Sequence, residues 1–201
     1  MINIDDIYLV TSTIAVTHEI PADKNVNIKD LEQFLSPPLT VGVTPEGTMI
    51  SSQRDQIEIV TSNVKTNVRD LSGKTDFVAS KGGGILNWFV TNFELKINSY
   101  GINFILRVSC STPRQWITEN ILSSRISERT GNKLTGGAAL ISLDASPKTW
   151  NIKFEPINDD KLAVDFNASE KTVTLPAADI LCSELKTQWE LLAKLLGNLG
   201  L

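Results

Sequence analysis

Residues 7–20, IYLVTSTIAVTHEI, decide the fold class. Val10, Ser12, Ile14, Val16, His18 and Ile20 fall on one side of a two-residue period, and Thr11, Thr13, Ala15, Thr17 and Glu19 on the other. That alternation, built from many β-branched residues, predicts a strand. Pro21 ends it. Asn27 is placed to cap a short helix over 28–35, which Pro37-Pro38 closes. Short strands at 39–43, 48–52, 56–61 and 65–69 follow, separated by turn residues such as Pro45-Glu46-Gly47 and Ser62-Asn63. A helix then starts near Thr75 or Asp76 and runs to about 90.

A strand at 94–98 opens the second half. In 102–110 every second residue is apolar, which places Cys110 toward the core. Thr112 and Pro113 start a helix through about 122. The polar stretch 123–135, SSRISERTGNKLT, reads as a loop. Strands are expected at 138–143, 149–155 and 161–166. Pro176 opens the longest helix, to about 196, with Ala178, Cys182, Leu185, Trp189, Leu192 and Leu196 as its core stripe.

Residues 1–92 and 93–201 thus repeat one pattern without repeating letters: strand, short helix, three or four short strands, longer helix. Tight turns between strands require antiparallel pairing. The expectation is a single α+β domain. It has a large curved antiparallel sheet with helices packed on one face, built from two similar β-α-β-β-β-α halves.

Composition narrows the function. The chain has 201 residues, 41% hydrophobic and 21% charged, which is enough apolar material for a real core. Its net charge is −4, a poor balance for gripping a phosphate backbone, so no nucleic acid is expected as partner. The charge is uneven. Residues 1–50 carry Lys24 and Lys29 against seven acids, whereas 96–133 carry six basic residues against Glu119 and Glu128. The two cysteines are too few for a disulfide framework, and the start MINIDDIYLV has no basic leader, so a cytoplasmic protein is expected. The C-terminal apolar stretch is interrupted by Glu184, Lys186, Glu190 and Lys194, so no membrane partner is expected.

The stretch 71–84, LSGKTDFVASKGGG, looks at first like a phosphate loop. That motif requires a glycine five residues before Gly73, where Val68 stands, and Asp70 would repel the anion. It reads instead as a strand-to-helix turn. Gly82-Gly83-Gly84 inside a helix would cost on the order of 2–3 kcal/mol relative to alanine. Three readings stand side by side. The helix starts after Gly84 and leaves N–H groups for an anion beside Lys81; another backbone approaches closely; or the helix breaks there.

His18 is the only histidine, so any Ser–His or Cys–His pair must use it. It lies in line with Ile14 and Val16, which favours a core or rim role. One histidine and two cysteines supply no common zinc set, and no cofactor motif is present, so no metal and no cofactor are expected. Arg125, Arg129 and Lys133 in the 123–135 loop, together with His18 and Lys81, are the candidate contacts for a ligand or partner. The expected function is a non-catalytic binding module that acts through a protein partner or through self-association as a homo-oligomer. The alternative is a small-ligand binder or enzyme with a pocket between the sheet and the C-terminal helix, bordered by Trp189, Phe104 and His18. A pocket above roughly 300 Å³ with convergent polar groups would favour it.

Overall fold

The structure is a computed structural model that describes residues 7–19, 26–122 and 137–201. Among the described residues nine strands form one antiparallel, curved sheet with helices on one face. In chain order they are β1 (Ile7–Glu19), β2 (Leu39–Thr44), β3 (Gly47–Ser52), β4 (Ile57–Thr61), β5 (Lys65–Asp70), β6 (Lys96–Ser109), β7 (Ala139–Ala145), β8 (Lys148–Pro156) and β9 (Lys161–Lys171). Their order in the sheet is β2-β3-β4-β5-β1-β6-β9-β8-β7. Each half places its first and longest strand at the centre. Outward from β1 come the remaining strands of the first half, and outward from β6 those of the second.

The helix-covered face carries the core. Ile14, Val16, Ile59, Val68, Ile102, Phe104, Ile152, Phe154, Val164 and Phe166 are buried there. Each such side chain contributes about 1.5–3 kcal/mol through burial. Helix α1 (Gly83–Phe93), helix α2 (Pro113–Asn120) and helix α3 (Ala178–Asn198) pack over them. Trp116 of α2 meets Phe154, and Trp189 of α3 meets Phe104 edge-on at 5.4 Å.

Three local expectations change. The alternation in β1 is not continuous: the pairing with β6 slips between Leu9 and Thr11 and again after Thr17. Ile7 and Leu9 therefore share the core face with Ser12, Ile14 and Val16, and an unbroken period of two cannot describe both ends of the strand. Second, 94–98 and 102–110 belong to one strand. Gly101 does not break it, because a side chain there would lie 3.3 Å from the Ala168 carbonyl and none is needed for pairing. Third, the buried stripe of α3 is Leu181, Leu185, Gln188, Leu192 and Leu196, with Ala178, Cys182 and Trp189 on its flanks. The helix packs on two things, the sheet below and α1 beside it, so its apolar surface is wider than one stripe. The short helix at 28–35 is a 3-10 helix over Ile28–Gln33, and the Asn27 side chain accepts a hydrogen bond from the Lys29 N–H.

The glycines act by close approach. A π-helical turn, Val78–Gly82, leads directly into α1. A β-carbon on Gly83 would lie 2.6 Å from the Ala178 carbonyl oxygen. Gly73 has φ +74 and sits beside the Leu9 carbonyl, while Asp70 accepts the Ser72 N–H at 2.7 Å. That is a turn joining β5 to the helix, closed by its own side chains.

Candidate functional site

Helices cover one face of the sheet; the described residues place no helix on the other. Strand register fixes what this open face displays. One cross-strand row reads Glu58, Arg69, Thr13, Asn103, Asn167, Asn151, Ser142, running from β4 to β7. At the strand spacing of about 4.8 Å this row is roughly 29 Å long. Its side chains bond to one another: Asn167 Nδ2 donates to Asn103 Oδ1, and the Ser142 hydroxyl to Asn151 Oδ1 at 2.7 Å. The neighbouring row runs Val60, Asn67, Ala15, Gly101, Ser169, Thr149.

Small residues at the middle of both rows leave a hollow. A groove of about 370 Å³ is lined by Thr11, Thr13, Glu58, Lys65, Asn67, Arg69, Leu71, Asn103, Ile105 and Asp165. Its floor is enclosed although no helix among the described residues lies over it: Thr13 is 8% exposed and Asn67 5%. Among the described residues Asn67 Oδ1 has no hydrogen-bond partner. That atom has no exposed surface, so the groove meets the Asn67 amide through Nδ2. The walls carry both signs. Arg69 pairs with Glu46 at 2.7 Å, and Lys153 pairs with Glu155 at 2.6 Å beside the groove. Partial desolvation raises the Asp165 carboxyl above its ordinary range, opposed by the nearby Lys153 charge. A second hollow of about 210 Å³ lies farther along the same face, lined by Tyr8, Arg107, Val108, Ser109 and Lys161.

The residues singled out in the sequence fall elsewhere. His18 is buried on the helix side, with Nε2 2.9 Å from the Thr66 hydroxyl, which in turn bonds Thr61. Burial pushes its imidazole below the ordinary value. The unfolded chain therefore takes up this proton first as pH falls, and stability declines from about pH 6.5 downward. A melting-temperature series between pH 7 and pH 5.5 should show this fall in the wild type and a flatter limb in His18→Gln; equal slopes would refute the assignment. Lys81 donates to the Phe34 carbonyl at 3.2 Å and stands 5.2 Å from the Phe77 ring centre. Its charge also acts on Asp55. Desolvation works to raise that carboxyl, but hydrogen bonds from the Ser36 N–H and the Ser36 and Ser52 hydroxyls, with Lys81, hold it below the usual range. Arg125, Arg129 and Lys133 lie outside the described residues. Trp189 and Phe104 touch, but His18 does not join them. Phe104 pairs with Ser12, six residues from His18 along β1, about 20 Å at strand rise.

Sequence reading also missed a charged cluster under α3. Lys148, 5% exposed, donates from Nζ to Glu170 at 2.8 Å, to Glu184 at 3.3 Å and to the Tyr100 hydroxyl, and lies 4.4 Å from the Tyr100 ring centre. The Tyr100 hydroxyl is 2.9 Å from both carboxylates and can donate its one proton to either. Burial and then the two glutamates raise its ionisation far above the ordinary phenol. The cluster ties β6, β8 and β9 to the helix. Among the described residues no group of three or more His, Cys, Asp or Glu side chains could hold a metal ion. Among the described residues no helix is long and apolar enough to cross a membrane.

No family model matches the chain, and no curated protein matches it. Among solved structures the chain is similar to Methanococcus jannaschii TBP, with 10% sequence identity, covering 92% of this chain and 99% of that one at a TM-score of 0.36.

Proposed function

We propose that the chain is a non-catalytic binding module that presents the open face of its sheet to a protein partner or to a second copy of itself. The enclosed polar floor of the groove carries this reading. Thr13 and Asn67 are nearly closed to solvent although no described helix covers them, which leaves a recess that a partner's side chains can fill. The alternating charges of Lys65, Arg69, Lys153 and Lys161 with Glu58, Glu155 and Asp165 suit a protein surface. A phosphate backbone asks for unopposed cations. Residues 1–201 are read as one domain made of two related units, 1–92 and 93–201, and the loop cations Arg125, Arg129 and Lys133 belong to the proposal as contacts for an acidic partner.

Lysine protection tests it. Open-face Lys65, Lys153 and Lys161 and helix-side Lys186 and Lys194 are all exposed. Reductive methylation of the chain, at high protein concentration and on a partner captured from extract, should slow at the first three. Protection confined to Lys186 and Lys194 would overturn the reading.

A second reading, a small-ligand protein, is favoured by one observation: the groove exceeds roughly 300 Å³ and gathers polar groups. It lies on the open face, however, and not beneath α3.

A further inference from the structure

Resting on the open-face reading, we propose that the groove holds an extended peptide segment through a single acidic side chain. Lys65, Asn67 and Arg69 stand at alternate positions of β5 and so point to the same side. The Asn67 amide lies between two cations. A peptide laid across it can accept a hydrogen bond from Asn67 Nδ2 through a backbone carbonyl, since Oδ1 is sealed beneath it, and place a carboxylate on the Lys65 side of Arg69. Primary amides suit this task because each offers an N–H donor to a peptide carbonyl. Asn103, on the far side of the groove floor, offers a second such contact.

Arg69 is not closed to a ligand. Its bond to Glu46 is an exposed pair, with Glu46 63% open to solvent, and the guanidinium has further donors. Lys65 makes no ion pair among the described residues. Glu58, opposite Arg69 on β4, and Asp165 across the groove both repel an acid, which leaves the Lys65 end of β5 for the carboxylate. The charge arrangement therefore sets direction: acid over β5, and a neutral or basic residue over β9.

The test uses the full chain, isotope-labelled, and two blocked probe peptides, acetyl-Gly-Asn-Glu-Asn-Gly-amide and its counterpart with Gln for Glu. Backbone signals of Lys65, Asn67 and Arg69 should move, and the Glu peptide should bind about fivefold more tightly than the Gln peptide at low salt. Lys65→Glu, a change at an exposed position, should abolish that preference while leaving the spectrum folded. No movement at these signals up to millimolar peptide, or equal binding of the two peptides, overturns the proposal. Failure here with Lys65, Lys153 and Lys161 still protected leaves the partner reading intact; protection on α3 instead removes both.

Discussion

Lys148→Met should lower the melting temperature by about 5–10 °C, from a loss of about 2–3 kcal/mol. Removing one member of a fully buried ion pair costs about 3–5 kcal/mol, because the remaining charge keeps its desolvation without its partner. Here the Lys148 side chain is 6% exposed, but Glu170 and Glu184 are 24% and 27% exposed, so water relieves part of the loss. The pH dependence separates this cause from simple loss of packing. Lys148 is the main reason the Glu170 carboxyl sits below its ordinary value; desolvation opposes this, and Tyr100 adds to it. A lowered carboxylate stabilises the fold above its unfolded value, near pH 4.3, and that gain disappears as pH falls through the folded value. The variant has already lost this gain. The gap between wild type and variant should therefore narrow from pH 7 to pH 3.5. Adding Glu170→Gln and Glu184→Gln to Lys148→Met should recover at least half of the lost melting temperature. A gap that is constant with pH, with no recovery in the triple variant, would mean that the lysine contributes only its methylene packing.

This cluster also shows where sequence reading stops. Lys148 follows Ala145-Ser146-Pro147, a stretch that reads as a solvated turn, and its partner Glu184 lies 36 residues away. Nothing local marks it. Strands, by contrast, are legible because alternation is local: 7–20, 102–110 and 161–166 all announce themselves, and with them the antiparallel sheet. The order of the strands is not local, and the open-face site depends on it. Asn103 and Asn167 bond across 64 residues of sequence. Each occupies a polar position of its own strand and, taken alone, reads as solvent-facing. One signal was available. The outward positions of β1 are Thr11, Thr13, Ala15 and Thr17, small residues where a solvated strand usually carries Lys or Glu. A run of small polar side chains on a central strand leaves room above it, and here that room is the groove. His18 was legible as a core residue from its alignment with Ile14 and Val16. That His18 stands apart from Phe104 and Trp189 was not legible, because residues on one face of one strand can lie some 20 Å apart.

Gly83→Val should lower the melting temperature by about 6–12 °C, whereas Gly84→Ala should raise it by up to about 4 °C. The two positions are adjacent and both helical, so propensity alone predicts the same sign for each. Their surroundings differ. At Gly83 an added β-carbon meets the Ala178 carbonyl oxygen at 2.6 Å and its α-carbon at 3.0 Å, both backbone atoms in the first turn of α3. No rotamer change relieves that contact; the helices must separate. Their separation would also stretch the Asn87 side-chain bridge, which joins the Gly83 carbonyl at 3.0 Å to the Pro176 carbonyl at 3.2 Å. Overpacking of this kind costs about 1–3 kcal/mol, with a branched side chain at the upper end. At Gly84 the nearest atom is the Phe34 ring edge at 3.6 Å, an ordinary contact, so the helix gains up to about 1 kcal/mol from losing a glycine. A rise in melting temperature for both variants would show that α1 and α3 do not meet backbone to backbone. Opposite signs would mean that Gly83, and not Gly84, is a packing device. Its cost to helix stability is then offset by bringing the last helix of each half into contact above the one shared sheet.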